Sequence, residues 1–129
     1  MTALPDLPQS FRREQQELDA AGINDWWQLR DLDEAQLSRL AHSGRASPLN
    51  LKRLRAIAGL VCDLDLAPPD AALLIYAGIA SRAALAATTP ERVVQQTGRL
   101  ERSLDTGRPA VVDLATARRW IQRARQPGN

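Results

Sequence analysis

Residues 18–27 read LDAAGINDWW, and residues 74–83 read LIYAGIASRA. Both carry the triplet Ala-Gly-Ile, at 21–23 and at 77–79, an offset of 77 − 21 = 56 residues. Glycine after a helix-forming run is a stop signal, because it accepts the left-handed conformation without Cβ strain. The flanks repeat with the triplet. Leu18 corresponds to Leu74, Leu29 to Leu85 and Leu37 to Val93. Asp25 corresponds to Ser81 and Asp33 to Thr89, and all four are residue types that cap helix N-termini. Apolar and capping positions both survive the shift, which points to an internal duplication.

Each copy reads as four helices. In the first, Ser10 caps a helix that runs to about Ala21, with Phe11, Gln15 and Leu18 on one stripe. Asp25 opens a short helix through Trp26, Trp27 and Leu29, and Asp33 opens another through Leu37 and Leu40. HSGRASP (42–48) is a loop. Ser47 then caps a long helix with Pro48 at its first position, where a missing N–H costs nothing. Leu51, Leu54, Ala58 and Val61 follow at helical spacing.

The second copy begins at LAPPD (66–70) and predicts a helix from about Pro69 to Ala77. Short helices follow Ser81 and Thr89, then TGRLERSLDTGRP (97–109), and Asp113 caps the last helix. That helix places Leu114, Ala117, Ile121 and Ala124 on one face. Gly44 and Gly107 lie 107 − 44 = 63 residues apart, seven more than 56, and GRLERSL (98–104) is the natural insert.

Composition agrees with an all-α chain. Of 129 residues, 44% are hydrophobic but only 4% aromatic, so the core is built mainly of Leu, Ala, Ile and Val. Cys62 is the only cysteine, which excludes an internal disulfide and fits a reducing, cytoplasmic setting. No apolar stretch is long enough for a membrane span, and MTALPDLPQS (1–10) lacks the basic start and apolar middle of a secretory leader. The net charge of +2 is uneven. Residues 1–36 hold three basic and eight acidic side chains (3 − 8 = −5), and residues 37–129 hold fourteen and seven (14 − 7 = +7). All basic residues but Lys52 are arginine, whose planar fork suits phosphate and carboxylate.

A helix, then Gly-Ile, then a short capped helix ending in leucine resembles the middle of a double helix-hairpin-helix unit, here met twice. More specifically, AALLIYAGIASRAALA and TGRLERSL resemble the cyanobacterial and other bacterial family catalogued as domain of unknown function 4332, over roughly residues 5–125. The resemblance implies tandem helix-hairpin-helix-like modules and no enzyme activity. The expected fold is therefore all-α: two tandem helix-hairpin-helix-like (SAM/HhH-type) four-helix halves, 1–65 and 66–129, packed into one compact unit. Modules of this type bind DNA backbones through a Gly-hydrophobic-Gly hairpin at a helix N-terminus. The sequence departs from that motif. LPQS and LAPPD stand at two of the expected places, and Pro68 and Pro69 make a poor phosphate nest.

The remaining anion candidates are two Gly-Arg loops. Gly44 and Arg45 precede the helix capped by Ser47, with Lys52 and Arg53 one turn in; Gly107 and Arg108 precede the helix capped by Asp113. The plainer alternative makes both glycines helix stops and both arginines solvated. A second candidate is the face of the last helix carrying Arg118, Arg119, Arg123 and Arg125, set against an ordinary exposed face. Trp26 and Trp27 are adjacent and cannot face the same side. Trp26 shares its spacing with Ile23 and Leu29 and belongs to the core, leaving Trp27 as an exposed protein-contact anchor. Trp120 reads as packing and Cys62 as a buried thiol.

A catalytic site finds no support. His42 is the only histidine and has no acid at useful spacing, one His and one Cys twenty residues apart make no zinc site, and no phosphate-loop or dinucleotide fingerprint occurs. The expected role is a non-enzymatic module without cofactor or small-molecule substrate. It binds DNA or RNA backbone through the basic C-terminal half or, alternatively, a protein partner through Trp27 and the acidic N-terminal half.

Overall fold

The computed structural model describes residues 11–104 and 112–126, with backbone alone over 100–104. Among these residues the chain forms eight helices and no strand: α1 (Arg12–Ala20), α2 (Trp26–Arg30), α3 (Glu34–Ala41), α4 (Pro48–Leu64), α5 (Pro68–Tyr76), α6 (Arg82–Ala87), α7 (Pro90–Leu104) and α8 (Leu114–Arg125). The all-α expectation holds. Ser10, expected to cap α1, lies outside the described residues. Phe11 occupies the N-cap position of α1 and makes no side-chain cap.

The two Gly-Ile turns are built alike. Gly22 and Gly78 sit at φ +81° and +94°. Gly22 N donates to Asp19 O and Gly78 N to Ile75 O, each at 3.1 Å, while Ile23 N reaches Leu18 O and Ile79 N reaches Leu74 O, each at 2.9 Å. This paired arrangement satisfies carbonyls that a helix end leaves open, and it needs the left-handed residue that glycine supplies. The starts of α1 and α5 (68 − 12), α2 and α6 (82 − 26), and α3 and α7 (90 − 34) are each 56 residues apart. The caps recur as well. Asp25 accepts from Gln28 N at 2.8 Å and Ser81 from Ala84 N at 3.0 Å, while Asp33 accepts from Gln36 N at 2.8 Å and Thr89 from Arg92 N at 3.3 Å.

The register changes only in α7, which has 15 residues against the 8 of α3. The seven extra residues are 98–104, the stretch GRLERSL. They lengthen a helix instead of forming the separate connection expected from TGRLERSLDTGRP, since Leu, Glu and Arg propagate a helix already nucleated.

Helix α4 is the central element. It packs against α2 and α3 on one side and against α5, α6 and α8 on the other, while α8 packs on α6 and α7. Leu51, Leu54, Ile57, Ala58, Leu60, Val61 and Leu64 of α4 are all buried, as required of a helix with neighbours on several sides. Trp26, Leu29, Leu74, Leu85, Val93, Ala117, Trp120 and Ile121 join them in a single continuous core. Each fully buried leucine contributes about 1.5–3 kcal/mol relative to exposure. The inward stripe of α1 is Phe11, Glu14 and Leu18; Glu14 stands where Gln15 was expected, and Gln15 is only half-buried.

Candidate functional site

The first anion candidate is the loop before α4. Ser47 caps the helix, its Oγ accepting from Asn50 N at 3.3 Å. The rest of the helix start is taken by the chain itself. The Glu14 carboxylate, 2% exposed, accepts from Ser47 N at 3.0 Å and from Asn50 Nδ2 at 3.1 Å. A carboxylate here uses the positive end of the α4 dipole and satisfies buried donors. The expected phosphate site of Gly44, Arg45, Ser47, Lys52 and Arg53 therefore does not assemble, because an incoming anion meets the charge of Glu14. Gly44 closes the α3 end at φ +77°, and its N donates to Ala41 O at 3.0 Å, the behaviour of a helix stop. Arg53 turns away, its guanidinium 5.5 Å over the ring of Tyr76 and its Nη1 3.3 Å from Asn50 Oδ1. Arg45 and Lys52 are exposed. Gly107 and Arg108 lie outside the described residues.

The arginine face of α8 divides into two groups. Arg123 Nη1 donates to Leu64 O at 2.8 Å, and at 3.4 Å to the carbonyl of Asp65, a left-handed residue at φ 54°. Arg125 Nε donates to Ala86 O at 2.9 Å, and Arg82 Nε to Ala124 O at 3.1 Å, with Arg82 Nη2 on Gln126 O. These three arginines close the C-termini of α4, α6 and α8, where unpaired carbonyls and the negative dipole end favour a cation. Arg123 and Arg125, expected on a phosphate-tracking face, are thus fixed to backbone. Arg118 and Arg119 remain exposed, and Arg119 Nη2 reaches Thr116 Oγ1 at 3.1 Å. Asp113 caps α8, accepting from Thr116 N at 2.7 Å, and that donation holds its carboxyl below the usual range.

Trp26 is fully buried and Trp27 is 39% exposed, so the pair divides as its spacing predicts. The Trp27 ring is covered on one side by Arg30, whose guanidinium carbon is 4.3 Å from the ring centroid. Trp120 is buried in the core. Cys62 is half-buried, and desolvation pushes its thiol up to about 11.

The structure also assembles a site that the linear pattern conceals. A groove of about 290 Å3 runs beside α4, floored by Ala56, Gly59 and Leu60 and walled by Arg30, Lys52, Arg55, Arg82 and Asp63. Four cations from α2, α4 and α6 thus face one carboxylate. Arg30 Nε holds Asp31 at 2.9 Å and its Nη1 holds Asp63 at 3.1 Å; together the pairs raise the Arg30 pKa, the bond to Asp31 contributing most. Arg55 Nη1 donates to Leu32 O at 3.1 Å and Nη2 to Glu34 at 2.8 Å, which holds the Glu34 carboxyl below its ordinary value. Lys52 has no side-chain partner among the described residues. A larger cleft of about 460 Å3 lies between α1 and α3, but its charged lining, Glu17 and Arg39, is balanced.

The described residues that carry both the groove and the α8 face fall within a region, residues 8–127, matched by a family model described as a domain of unknown function, DUF4332. The chain belongs to this family. No curated protein and no solved structure matches it. The DUF4332 match spans all eight helices, so the groove lies inside the family domain. No helix among the described residues is long and apolar enough to cross a membrane.

Proposed function

We propose that this protein is a non-enzymatic binding module for nucleic-acid backbones, with weak, salt-sensitive and sequence-tolerant affinity. One observation carries the proposal. Of the 17 basic side chains, only Arg30 and Arg55 pair with carboxylates among the described residues. Arg82, Arg123 and Arg125 are held by neutral carbonyls and keep their full charge. Arg45, Lys52, Arg92, Arg99 and Arg118 are exposed without a carboxylate partner among the described residues. Uncompensated cations on a small domain attract a polyanion by displacing its counterions. The repeated Gly-Ile turns at a 56-residue offset support descent from a duplicated helix-hairpin-helix-like block, a lineage associated with backbone binding.

Fluorescence anisotropy with short DNA and RNA tests this. Log affinity is expected to fall linearly with log salt, by about 0.9 per phosphate contacted on duplex DNA. The double variant Arg118→Glu/Arg119→Glu lowers both the affinity and the slope. Absence of binding at low salt overturns the proposal.

Trp27 supports a second role. It is the most exposed of the three tryptophans, and Asp25, Asp31, Asp33 and Glu34 surround it in sequence, an environment that repels nucleic acid and suits a protein partner. If that surface is used, Trp27→Ala abolishes co-purification of the partner; recovery of the same partner with the variant excludes it.

A further inference from the structure

We propose that the groove beside α4 is a phosphate site, in which Arg30, Lys52, Arg55 and Arg82 hold the phosphate of a ligand above Gly59. The inference rests on the polyanion reading for the sign of its ligand and deepens it by naming the place and the group recognised. A guanidinium has five N–H donors. Arg30, Arg55 and Arg82 each spend two on fixed partners, leaving 5 − 2 = 3 apiece. Those partners anchor the guanidiniums before any ligand arrives, so little side-chain freedom is lost on binding. Lys52 adds an ammonium with no partner of its own among the described residues. Asp63 faces the same groove but is held by Arg30, and its single charge is outnumbered four to one. The volume is at the low end for small-molecule sites, about 300–1,000 Å3, and suits a phosphate group better than a bulky apolar ligand.

Gly59 is the independent observation. It sits inside the 17-residue helix α4 with ordinary backbone dihedrals, and a Cβ added there meets nothing within 4 Å. Glycine is unfavourable in a helix interior, and no neighbour in the folded chain requires it. It does keep the groove floor open. A ligand seated between the arginines would need that headroom.

The test uses the full chain, with pyrophosphate in calorimetry and a single-stranded oligonucleotide in anisotropy. Gly59→Leu fills the floor and is expected to raise Tm by a few degrees while weakening binding about tenfold or more. Lys52→Glu, which breaks no internal bond among the described residues, is expected to weaken binding by a similar factor without changing Tm. Pyrophosphate binding that both variants lose identifies a free phosphate compound as ligand, whereas loss confined to the oligonucleotide identifies a phosphodiester backbone. Either supports the site. If Arg118→Glu/Arg119→Glu abolishes oligonucleotide binding while both groove variants bind as wild type does, the groove inference falls and the polyanion reading stands. If wild type binds neither probe, both fall.

Discussion

Three glycines with equally open surroundings serve different ends, and substitution separates them. A Cβ at Gly22, Gly59 or Gly78 meets no atom within 4 Å, so crowding decides nothing. Backbone conformation does. Gly22 and Gly78 lie in the left-handed region, where an L side chain costs about 1–2 kcal/mol, whereas Gly59 is helical. Gly22→Ala and Gly78→Ala should each destabilise by about 1 kcal/mol or more, and by similar amounts. Gly59→Ala should stabilise by roughly 1 kcal/mol. Urea titrations of the three variants check this; a stabilising Gly78→Ala would contradict the paired-turn geometry. All three glycines stand in the sequence alike. The repeated triplet distinguished the two turns, but nothing local marked Gly59 as a groove floor, because that depends on what packs against the opposite side of α4.

At the scale of helices, the arginine excess has a structural use beyond binding. Arg123, Arg125 and Arg82 close three helix ends that lack the glycine stop found after α1 and α5. Arg123→Ala should therefore cost about 1 kcal/mol, a typical net value for one hydrogen bond, while Arg118→Ala should be neutral within about 0.5 kcal/mol. Equal effects in thermal unfolding would show that Arg123 is not a cap. The start of α8 predicts a pH effect. Asp113 has its folded pKa lowered by the Thr116 N–H. Its stabilisation is present above the unfolded value of about 3.9 and is lost as pH falls through the lower folded value. The Tm advantage of wild type over Asp113→Ala should be constant near neutral pH and shrink below about pH 4. The caps themselves (Asp25, Asp33, Ser47, Ser81, Asp113) were legible because an N-cap is a contact of a residue with its own next turn. The arginine caps were not, since each links elements separated by tens of residues, 59 for Arg123 and Leu64.

Across the whole molecule, α4 belongs to both halves. It shares buried surface with α2 and α3 from the first and with α5, α6 and α8 from the second. Neither 1–65 nor 66–129 can close that core alone, so each fragment should be unfolded in isolation, while the full chain melts in one cooperative transition. Circular dichroism of the two fragments checks this; a stable, cooperatively melting 1–65 fragment would show two independent domains instead. The same sharing creates the groove, which takes Arg30 from α2, Lys52 and Arg55 from α4 and Arg82 from α6.

The amino-acid sequence by itself determined the helical class, the two Gly-Ile turns, the caps and most of the core. These are set by interactions within a turn or two of chain and by apolar spacing that any helix must bury. Tertiary structure alone decided which charges are available. It placed the Glu14 carboxylate at the start of α4, tied Arg123 and Arg125 to distant carbonyls, and gathered Arg30, Lys52, Arg55 and Arg82 around Gly59. The reason is range. A cap or a stop is chosen by neighbours along the chain, whereas the free charge of an arginine depends on which helix end or carboxylate the packing brings within about 3 Å.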